Sequence, residues 1–454
     1  MFDLSDTICA ISTPKGSGAI AAIRISGTES WNIAQKIFSS PQHSFNHMRA
    51  IYGFIKDSEK IIDEVVLLPF KSPNSYTAED VIEIFCHGSN QIASMILDLC
   101  LKNGARLAQN GEFTFRAFIN GKIDLTKAEA INEIIAATNP QAVYAVSEIL
   151  SGSLKEKVTY FREKLFSLLM SIEGAIEFPM DVSQKSIDEI KNELQKLNAE
   201  LINLINTSVD GQVLKNGIKV SIVGPPNAGK SSLLNQLLET ERAIVTPEEG
   251  TTRDTVEETV MINGYPFVLV DTAGIREKGI VTEAEKIGIE RTKKAIEKSD
   301  VSIFIYDLTQ ENKVETQLIE SLLKDKTKIT VGNKLDLVNG SKKDCDVAIS
   351  AKFGTNIDQL KKILYAQRNL HDTIRTTQYS YINQRQKELL LQCSTSIQFA
   401  VSICSRDAIN RVSTAEDLIA DELKKAVSRL DEISGMKVNE EVIKNIFSKF
   451  CIGK

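Results

Sequence analysis

The chain has 454 residues, of which 42% are apolar and 25% are charged, a composition typical of roughly two to four ordinary soluble domains. Its formal net charge of −6 excludes a protein that coats nucleic acid by electrostatics alone, but not one that binds RNA at a local site or through a partner. The sequence has no uninterrupted apolar stretch long enough to cross a bilayer, so it predicts no membrane-spanning helix.

Residues 1–120 combine strand patterns with one helix pattern. Runs of β-branched and aliphatic residues predict strands at 7–11, 19–25, 61–68 and 81–85. A helix is predicted over 89–102, and Gly104 marks its end. We therefore predict an N-terminal α+β domain over residues 1–120.

From Thr126 onward the apolar residues recur at helical spacing. Residues 126–129 read TKAE, which fits a capping box and predicts that a helix begins at Thr126. The helical spacing continues over four segments, 154–172, 190–205, 389–401 and 418–430. Because these segments lie on both sides of 214–372, we predict one all-helical domain built from 121–213 and 373–454, with a separate domain inserted at 214–372.

The stretch 224–231 reads GPPNAGKS and fits the phosphate-binding loop pattern G-x-x-x-x-G-K-[ST]. An apolar strand pattern precedes it and a helix pattern follows, which is the context this P-loop motif requires. The glycine lets backbone N–H groups turn toward phosphate oxygens, the lysine would reach the β- and γ-phosphates, and the serine would hold Mg²⁺. The alternative is a glycine-rich turn between a strand and a helix. The nucleotide-binding residues predicted here are Asn227, Ala228, Gly229, Lys230, Ser231 and Ser232.

Two further segments have the character of switch loops. An apolar strand pattern at 267–270 leads into Asp271, Thr272, Ala273 and Gly274. The aspartate can hold Mg²⁺ through water, and the N–H of Gly274 can detect loss of the γ-phosphate. Between this segment and the phosphate loop lies the sequence GTTRD at 250–254, where Thr252 is the predicted second Mg²⁺ ligand.

The remaining nucleotide motifs concern the base. Asn333, Lys334 and Asp336 follow a strand pattern at 329–331. The carboxylate of Asp336 can accept two N–H bonds from guanine that adenine does not supply, each worth about 1.5–3 kcal/mol. Residues 350–352 would close over the base, with the N–H of Ala351 on the guanine O6. These motifs in this order, each after a strand pattern, predict a GTPase; the contacts predicted in the last segment are Ser350, Ala351 and Lys352.

The residue after the DTAG motif is Ile275, where a Ras-type GTPase has a glutamine. An apolar side chain cannot orient the attacking water, and no built-in arginine finger is evident. The side-chain oxygen of Asn227 can instead ligate a monovalent cation against the phosphates. We predict that K⁺ there supplies the positive charge that an arginine finger otherwise provides, an effect worth about 10³–10⁵ in rate.

Ordered motifs along the whole chain resemble the tRNA-modification GTPase family MnmE, also called TrmE. They read DTICAISTPKGSGAIAAIRISG, EDVIEIFCHG, GEFTFRAFINGKIDLTKAEA, GPPNAGKSSLLN, GTTRD, DTAG, EKIGIERT and FCIGK. The resemblance implies a multidomain α/β protein with three parts: a folate-binding N-terminal domain that dimerises, an all-helical central domain, and an inserted Ras-like, K⁺-dependent GTPase.

The resemblance also implies an activity and partners. With an FAD-dependent partner, MnmG or GidA, in a heterotetramer or larger complex, such a homodimer modifies C5 of the wobble uridine of certain tRNAs. The product is carboxymethylaminomethyl- or aminomethyl-uridine, and the added carbon comes from 5-formyl- or 5,10-methylene-tetrahydrofolate. By resemblance, the folate-binding residues are Arg24, Glu83, Lys122 and Lys454. The residues alone favour the alternative, in which Arg24 forms a salt bridge on a strand face and Lys122 is solvated.

The resemblance assigns catalysis to Glu285, as the residue that orients or activates water, and places Cys451 near the uridine chemistry. About two extra residues after the DTAG motif leave Glu283 as an alternative, and a partly buried structural cysteine is the alternative for Cys451. The K⁺ loop reads TPEEGT, in which Pro247 restricts the backbone. K⁺ ligands are predicted at Asn227, Thr246, Glu248 and Thr251, and the loop's nucleotide contacts are Thr246, Pro247, Glu248, Glu249, Gly250, Thr251 and Thr252.

The seven cysteines form no C-x-x-C pair, and with only four histidines they indicate neither a zinc framework nor a disulfide scaffold. The start MFDLSDT has no targeting pattern, so we predict a cytoplasmic protein. Two functions of different class remain from the sequence. One is an enzyme that couples GTP hydrolysis to tRNA modification, and the other is a regulatory or assembly GTPase without direct tRNA chemistry.

Overall fold

The computed structural model divides the chain into two compact units. The residues it describes are 4–40, 47–177, 186–210, 217–240, 257–271, 293, 295–310, 327–338, 345–367, 380–407 and 414–454. Unit 1 comprises Met1–Ile135, Leu154–Gln195 and Gln392–Lys454, and unit 2 comprises Ala136–Ser153 and Lys196–Leu391. Within the described ranges, no helix is long and apolar enough to cross a membrane.

The N-terminal part of unit 1 is built on one sheet. Its strands are β1 (Ile8–Ile11), β2 (Ile20–Ser26), β3 (Phe38–Ser39), β4 (Ile51–Asp57), β5 (Lys60–Phe70), β6 (Val81–His87) and β7 (Arg106–Leu107). They pair in the order β3-β4-β5-β6-β2-β1-β7, antiparallel except for β1 with β7. The four predicted strands are confirmed. The apolar pattern of the sequence did not predict β4, because Gly53 and Lys56 interrupt the apolar residues of that strand.

Twelve helices have bounds within the described residues. They are α1 (Ser30–Ile37), α2 (Asn90–Lys102), α3 (Glu112–Ile119), α4 (Leu125–Ile135), α5 (Pro140–Leu150), α6 (Ser153–Glu177), α7 (Ile187–Thr207), α8 (Lys230–Thr240), α9 (Ile357–Gln367), α10 (Gln384–Asp407), α11 (Thr414–Ser434) and α12 (Glu440–Phe447). The predicted helix 89–102 is confirmed as α2. The four segments with helical spacing are confirmed as α6, α7, α10 and α11.

The sheet of unit 1 has two different faces because successive side chains of a strand point to opposite sides. Ile23, Leu67 and Ile84 lie in the core on one side and are fully buried together with apolar residues of α1 and α2. Arg24 and Glu83, one position along on β2 and β6, belong to the opposite face. The alternation along these strands therefore places that pair outside the apolar core.

The predicted start of α4 is wrong by one residue. The helix begins at Leu125, and its cap is Asp124, whose Oδ1 accepts the Lys127 N–H at 2.9 Å. The Thr126 hydroxyl donates to the same oxygen at 2.6 Å and does not cap the helix itself. An aspartate at this position captures the free N–H groups of the first turn with a charged acceptor, so it displaces the threonine from that role.

A buried ion cluster fixes α3. Arg116 has no exposed surface, and its guanidinium donates to the Asp6 carboxylate and, at 3.1 Å, to Oε1 of Glu112, which is also fully buried. Burying charge is costly unless it is paired and hydrogen-bonded, as it is here. The cluster positions the neighbouring Phe113, whose ring lies near Arg24 of the outer sheet face.

Flanking helices of unit 1 join sequence segments from both sides of 214–372. Arg162 on α6 donates to the Asp431 carboxylate on α11 at 2.5 Å, and Asp431 is 3% exposed. Lys424 on α11 pairs with Glu173 on α6 at 2.7 Å. The apolar stripes of these two helices therefore pack in a single unit although they are far apart in the chain.

Unit 2 contains a mainly parallel sheet. Its strands are β9 (Ile218–Val223), β10 (Glu257–Ile262), β11 (Tyr265–Asp271), β12 (Val301–Asp307), β13 (Lys328–Asn333) and β14 (Val347–Ala348), and a separate pair is formed by β8 (Ser208–Asp210) and β15 (Ser380–Ile382). The order is β10-β11-β9-β12-β13-β14, and only β10 is antiparallel to its neighbour. The carboxyl ends of the parallel strands meet at one edge, where ligands of open α/β sheets bind.

Candidate functional site

The segment after β9 forms a turn that leads directly into α8. Asn227 and Gly229 have positive φ angles of 59° and 97°, and α8 begins at Lys230. The Lys230 ammonium donates to the carbonyls of Gly224 and Pro225 at 2.8 and 2.9 Å. The loop thus wraps around its own lysine at a helix N-terminus, an arrangement suited to phosphate.

Two glycines of this loop allow close approaches to neighbouring strands. A Cβ atom at Gly224 would lie 2.0 Å from the carbonyl oxygen of Ile305. A Cβ atom at Gly229 would lie 2.1 Å from Nδ2 of Asn333 and would also strain a backbone with positive φ. Larger residues at these positions would push the loop away from β12 and β13.

Asn333 links the phosphate loop to the segment at 350–352. Its side chain is buried, and its Nδ2 donates to the Ala228 carbonyl at 2.8 Å. Its Oδ1 accepts the N–H of Ala351 at 3.0 Å. One amide side chain therefore satisfies a donor and an acceptor from two distant loops and holds them in register.

Asp336 and its neighbours form the next part of this edge. The Ser350 hydroxyl donates to Oδ1 of Asp336 at 2.6 Å, and the Leu335 N–H donates to the Ile349 carbonyl at 3.0 Å. These contacts hold the Asp336 carboxylate against the segment at 349–350. Its remaining acceptor sites are available for N–H groups of a ligand, which is the chemistry that a guanine edge requires.

Lys334 is held by a buried carboxylate. Its Nζ lies 2.6 Å from Oδ2 of Asp307, the last residue of β12, which is 7% exposed. Burial raises the pKa of Asp307, but the hydrogen bonds from Lys334 and Thr309 outweigh that effect and hold the pKa below its usual value. The aspartate is therefore charged near neutral pH and pairs with the ammonium.

These loops enclose a cleft of about 650 Å³. Its volume is in the range of small-molecule sites. The structure thus brings together residues from the predicted phosphate and base motifs, which are about a hundred positions apart in the chain. The predicted residues that line the cleft are Asn227, Gly229, Lys230, Ser231, Ser232, Asn333, Lys334, Asp336, Ala351 and Lys352.

Several predicted residues are not placed by the structure. The backbone of Asp271 pairs with Ile222 at the end of β11, so it reaches the same sheet edge. The side chain of Asp271 lies outside the described parts of the chain, as do the other predicted switch, K⁺-loop and catalytic residues. These are Thr246, Pro247, Glu248, Glu249, Gly250, Thr251, Thr252, Thr272, Ala273, Gly274, Ile275, Glu283 and Glu285.

A second cluster lies on the outer face of the N-terminal sheet. Arg24 and Glu83 are direct cross-strand partners, with the arginine Nε 2.8 Å from Oε1. Their side chains are 15% and 19% exposed. The guanidinium lies 4.8 Å from the ring centroid of Tyr76 and 5.6 Å from that of Phe113, which are cation–π distances. The structure therefore shows the strand-face salt bridge that the residues alone allow for Arg24, half-buried beside two aromatic rings, and the folate role given by the resemblance stays a prediction.

Residues 451–454 pack against this cluster. The Gly453 carbonyl accepts from Arg24 at 3.4 Å, and the Cys451 carbonyl accepts from the Gly111 N–H at 3.4 Å. Gly453 has a φ of 95°, and a Cβ there would lie 2.5 Å from the Ile11 carbonyl oxygen. Burial, and next the charge of Arg24, lower the pKa of Lys454. The segment is therefore an integral wall of the Arg24 cluster.

Two further residues assigned by the resemblance are Lys122 and Cys451. Lys122 is exposed, and its ammonium donates to the Pro73 carbonyl at 3.4 Å. Pro73 lies on the same loop between β5 and β6 as Tyr76, so this loop contacts both Lys122 and Arg24. The side chain of Cys451 is exposed and not partly buried, and its role near the uridine chemistry stays a prediction.

Sequence reasoning missed several residues of these two sites. Asp307 ends a strand at the same sheet edge as Asp271 and Asn333, and that position was a usable signal. Tyr76, Phe113 and Gly453 had no such signal, because only the folded sheet brings them to Arg24.

Comparison with known proteins covers nearly the whole chain. The profile described as "GTP-binding protein TrmE N-terminus" matches residues 7–122, and that of the "MnmE helical domain" matches residues 125–451. The "tRNA modification GTPase MnmE" of Thermosipho melanesiensis is 41% identical over 454 residues, covering 99% of this chain and 100% of that protein. The chain belongs to the MnmE family of tRNA-modification GTPases.

A second MnmE relative, from Pseudothermotoga lettingae, is 38% identical over 463 residues and covers 99% of this chain and 100% of its own length. Among solved structures, Era from Aquifex aeolicus is 28% identical, with a TM-score of 0.28, over 39% of this chain and 66% of that chain.

Membership of the MnmE family confirms the predicted multidomain α/β fold class and the predicted GTP hydrolase activity in tRNA modification.

The MnmE family also implies GTP and Mg²⁺ binding, and the described residues fit both. Ser231 lies in the first turn of α8 and lines the cleft, so its hydroxyl can serve as a hard oxygen ligand. Bound Mg²⁺ would supply positive charge against the phosphate oxygens. The chain's own contribution would be the N-terminus of α8 and Lys230, which line the cleft at the position where the phosphate loop predicts the phosphate end of the nucleotide.

Proposed function

We propose that this GTPase is activated by K⁺ and, with an FAD-dependent partner of the MnmG (GidA) type, modifies C5 of the wobble uridine of certain tRNAs. The product would be carboxymethylaminomethyl- or aminomethyl-uridine, with a carbon taken from a tetrahydrofolate. The observation that carries this proposal is the second, half-buried cluster around Arg24 and Glu83, which lies in unit 1 and outside the nucleotide cleft. A GTPase that only regulates or assembles other proteins has no need of such a site.

In the nucleotide cleft we assign phosphate binding to residues 227–232 and base recognition to Asn333, Asp336 and Ala351. Lys230 supplies the positive charge, and Ser231 together with Thr252 holds Mg²⁺. We assign K⁺ to Asn227, which lines the cleft, and to the backbone of the TPEEGT loop. The water-orienting role remains assigned to Glu285.

In the second cluster we assign the binding of 5-formyl- or 5,10-methylene-tetrahydrofolate to Arg24, Glu83, Lys122 and Lys454. The ligand has carboxylates at one end and a ring with N–H groups at the other. Arg24 and Lys454 offer cationic groups, and Glu83 offers an acceptor. The exposed thiol of Cys451, two residues before Gly453, is then near the one-carbon chemistry.

We propose that the outer face of the N-terminal sheet is the homodimer surface. Tyr52, Val66 and Phe85 are successive cross-strand partners on β4, β5 and β6, and Tyr52 and Val66 are 56% and 39% exposed. This apolar row lies on the same face as Arg24, so a second copy would adjoin the folate site. Sedimentation of the full chain measures whether it forms the dimer that this assignment requires.

We also propose the domain division 1–120, 121–213, 214–372 and 373–454, and a cytoplasmic location. All seven cysteines have thiols that form no disulfide, as expected in a reducing compartment. Limited proteolysis that cuts far from these boundaries, or an export signal detected in cells, would count against these assignments.

Cells that lack this protein should lack the C5-modified wobble uridine, and the full chain should restore it. The Arg24→Ala variant should fail to restore it, although its GTPase site is intact. Mass spectrometry of digested tRNA measures the modified nucleoside. If the modification persists in the deletion cells, the chain is a regulatory or assembly GTPase, and the proposal is wrong.

K⁺ should stimulate GTP hydrolysis strongly and Na⁺ only poorly. The reason is that a cation held by Asn227 would offset the charge that develops on the phosphates, an effect worth about 10³–10⁵ in rate. Because Asn227 has a φ of 59°, Asn227→Gly removes the side chain without backbone strain, whereas Asn227→Ala adds strain. Both variants should lose the K⁺ effect and keep most nucleotide affinity, and equal rates of the parent in the two salts would contradict the assignment.

A further inference from the structure

Asp307 uses both carboxylate oxygens on different partners. Its Oδ1 accepts the N–H of Thr309 at 2.9 Å and the Thr309 hydroxyl at 2.7 Å, which closes the turn after β12. Its Oδ2 accepts from the Lys334 ammonium at 2.6 Å. The carboxylate therefore connects the end of β12 to the segment that follows β13.

Lys334 has an uncommon backbone conformation. Its φ and ψ are 65° and 38°, the left-handed region that residues other than glycine seldom adopt. Conformations of this kind persist where the surrounding structure enforces them, and they concentrate at functional sites. Here Asn333 and Asp336, on either side of Lys334, both line the nucleotide cleft.

The pairing with Asp307 limits what Lys334 can offer to a nucleotide. Lys334 lines the cleft, but its ammonium is bound to a carboxylate that is 7% exposed. The part of the side chain that remains available is its methylene stem, which lysine commonly packs against flat apolar surfaces. Positive charge for the phosphates comes instead from Lys230 at the other end of the cleft.

We propose that Asp307 is a positioning residue for guanine recognition, which holds the Lys334 stem as one wall of the base site. A free lysine side chain loses considerable rotamer entropy when it is ordered, so a lysine ordered in advance binds the base at lower cost. This inference rests on the proposed guanine site, and GDP binding by the unsubstituted chain tests that site separately.

The first test is the release of a fluorescent GDP from the full chain. Asp307→Ala should release GDP about tenfold faster, because the lysine stem is no longer fixed. Thr309→Val, which removes only the hydroxyl contact on Oδ1, should release it at the parental rate. Asp307→Asn keeps an acceptor for the ammonium without its charge, so it should lie between the parent and Asp307→Ala, and it serves as the test variant if Asp307→Ala does not fold.

A double-mutant cycle distinguishes this role from a merely structural one. Lys334→Met keeps an unbranched apolar stem and removes the ammonium, so it should release GDP about as fast as Asp307→Ala. The double variant should be no faster than either single variant. Rates that multiply in the double variant would show that Asp307 acts without Lys334, and the proposal would be overturned.

The second readout is the ratio of GDP to IDP affinity. IDP lacks the amino group that Asp336 would read, whereas a wall on the face of the base is insensitive to that group. Asp307→Ala should therefore weaken both nucleotides by the same factor. A changed ratio would place the effect of Asp307 on the Asp336 carboxylate and would also overturn the proposal.

Discussion

The Asp336→Asn variant should prefer xanthosine triphosphate to GTP by about a hundredfold, because each charged hydrogen bond lost to guanine is worth about 1.5–3 kcal/mol. The Ser350 hydroxyl donates to Oδ1 of Asp336 at 2.6 Å. In the variant this contact holds the amide oxygen at the same place and turns the amide NH₂ toward the base. That group donates where guanine also donates, but it complements the carbonyl of xanthine.

Competition between the two triphosphates in a hydrolysis assay measures the switch. Two further variants provide matched controls. Asp336→Ala should lose affinity for GTP without gaining affinity for xanthosine triphosphate, since alanine has no donor to offer. Adding Ser350→Ala to Asp336→Asn should reduce the switch, because the amide is then free to flip. If Asp336→Asn still prefers GTP, the assignment of the base site to this segment is wrong.

Replacement of Arg24 by alanine should weaken binding of 5-formyl-tetrahydrofolate by about ten- to a hundredfold and leave GTP hydrolysis unchanged. The substitution removes a guanidinium that pairs with Glu83 at 2.8 Å and leaves that carboxylate, 19% exposed, without its cation. It also removes one of the two influences that lower the pKa of Lys454. Without the guanidinium, the Glu83 carboxylate is no longer held in place to accept the N–H groups of the ligand.

Calorimetry with the folate measures this loss, and the GTPase rate of the same sample reports that unit 2 is folded. Arg24→Lys keeps the charge but not the flat guanidinium between Tyr76 and Phe113, so it should recover only part of the affinity. Lys36→Ala, at an exposed position on α1, removes a positive charge elsewhere in the N-terminal part of unit 1. This variant should bind the folate with the parental affinity. If Arg24→Ala binds the folate as tightly as the parent, the assignment of the folate site is wrong.

Most residues that line the nucleotide cleft could be predicted from the sequence because each motif is local. Residues 224–231 combine glycines, a lysine and a serine at a spacing that only a strand, loop and helix can use. Asn333 and Asp336 likewise follow their strand directly. In a parallel sheet the carboxyl ends of strands share one edge, so motifs that each follow a strand must meet there. Local backbone geometry therefore determined this site.

Local patterns were less reliable where two residues compete for one role. Thr126 fits a capping box, yet Asp124 caps α4, because its charged carboxylate lies one residue before the helix. Strand β4 escaped detection because Gly53 breaks its apolar alternation, and only pairing with β5 and β3 makes it a strand. In both cases, contacts that the motif does not include decided the outcome.

What only the tertiary structure decided is the set of contacts between distant segments. The carbonyl that accepts from Arg24 belongs to Gly453, 429 positions away, and Lys334 reaches Asp307 across 27 positions. No spacing rule connects such residues, since their meeting depends on the order of strands and on where residues 451–454 pack. The sequence by itself determined the motifs whose residues line the nucleotide cleft, and the fold determined which partners hold those residues and those of the Arg24 cluster in place.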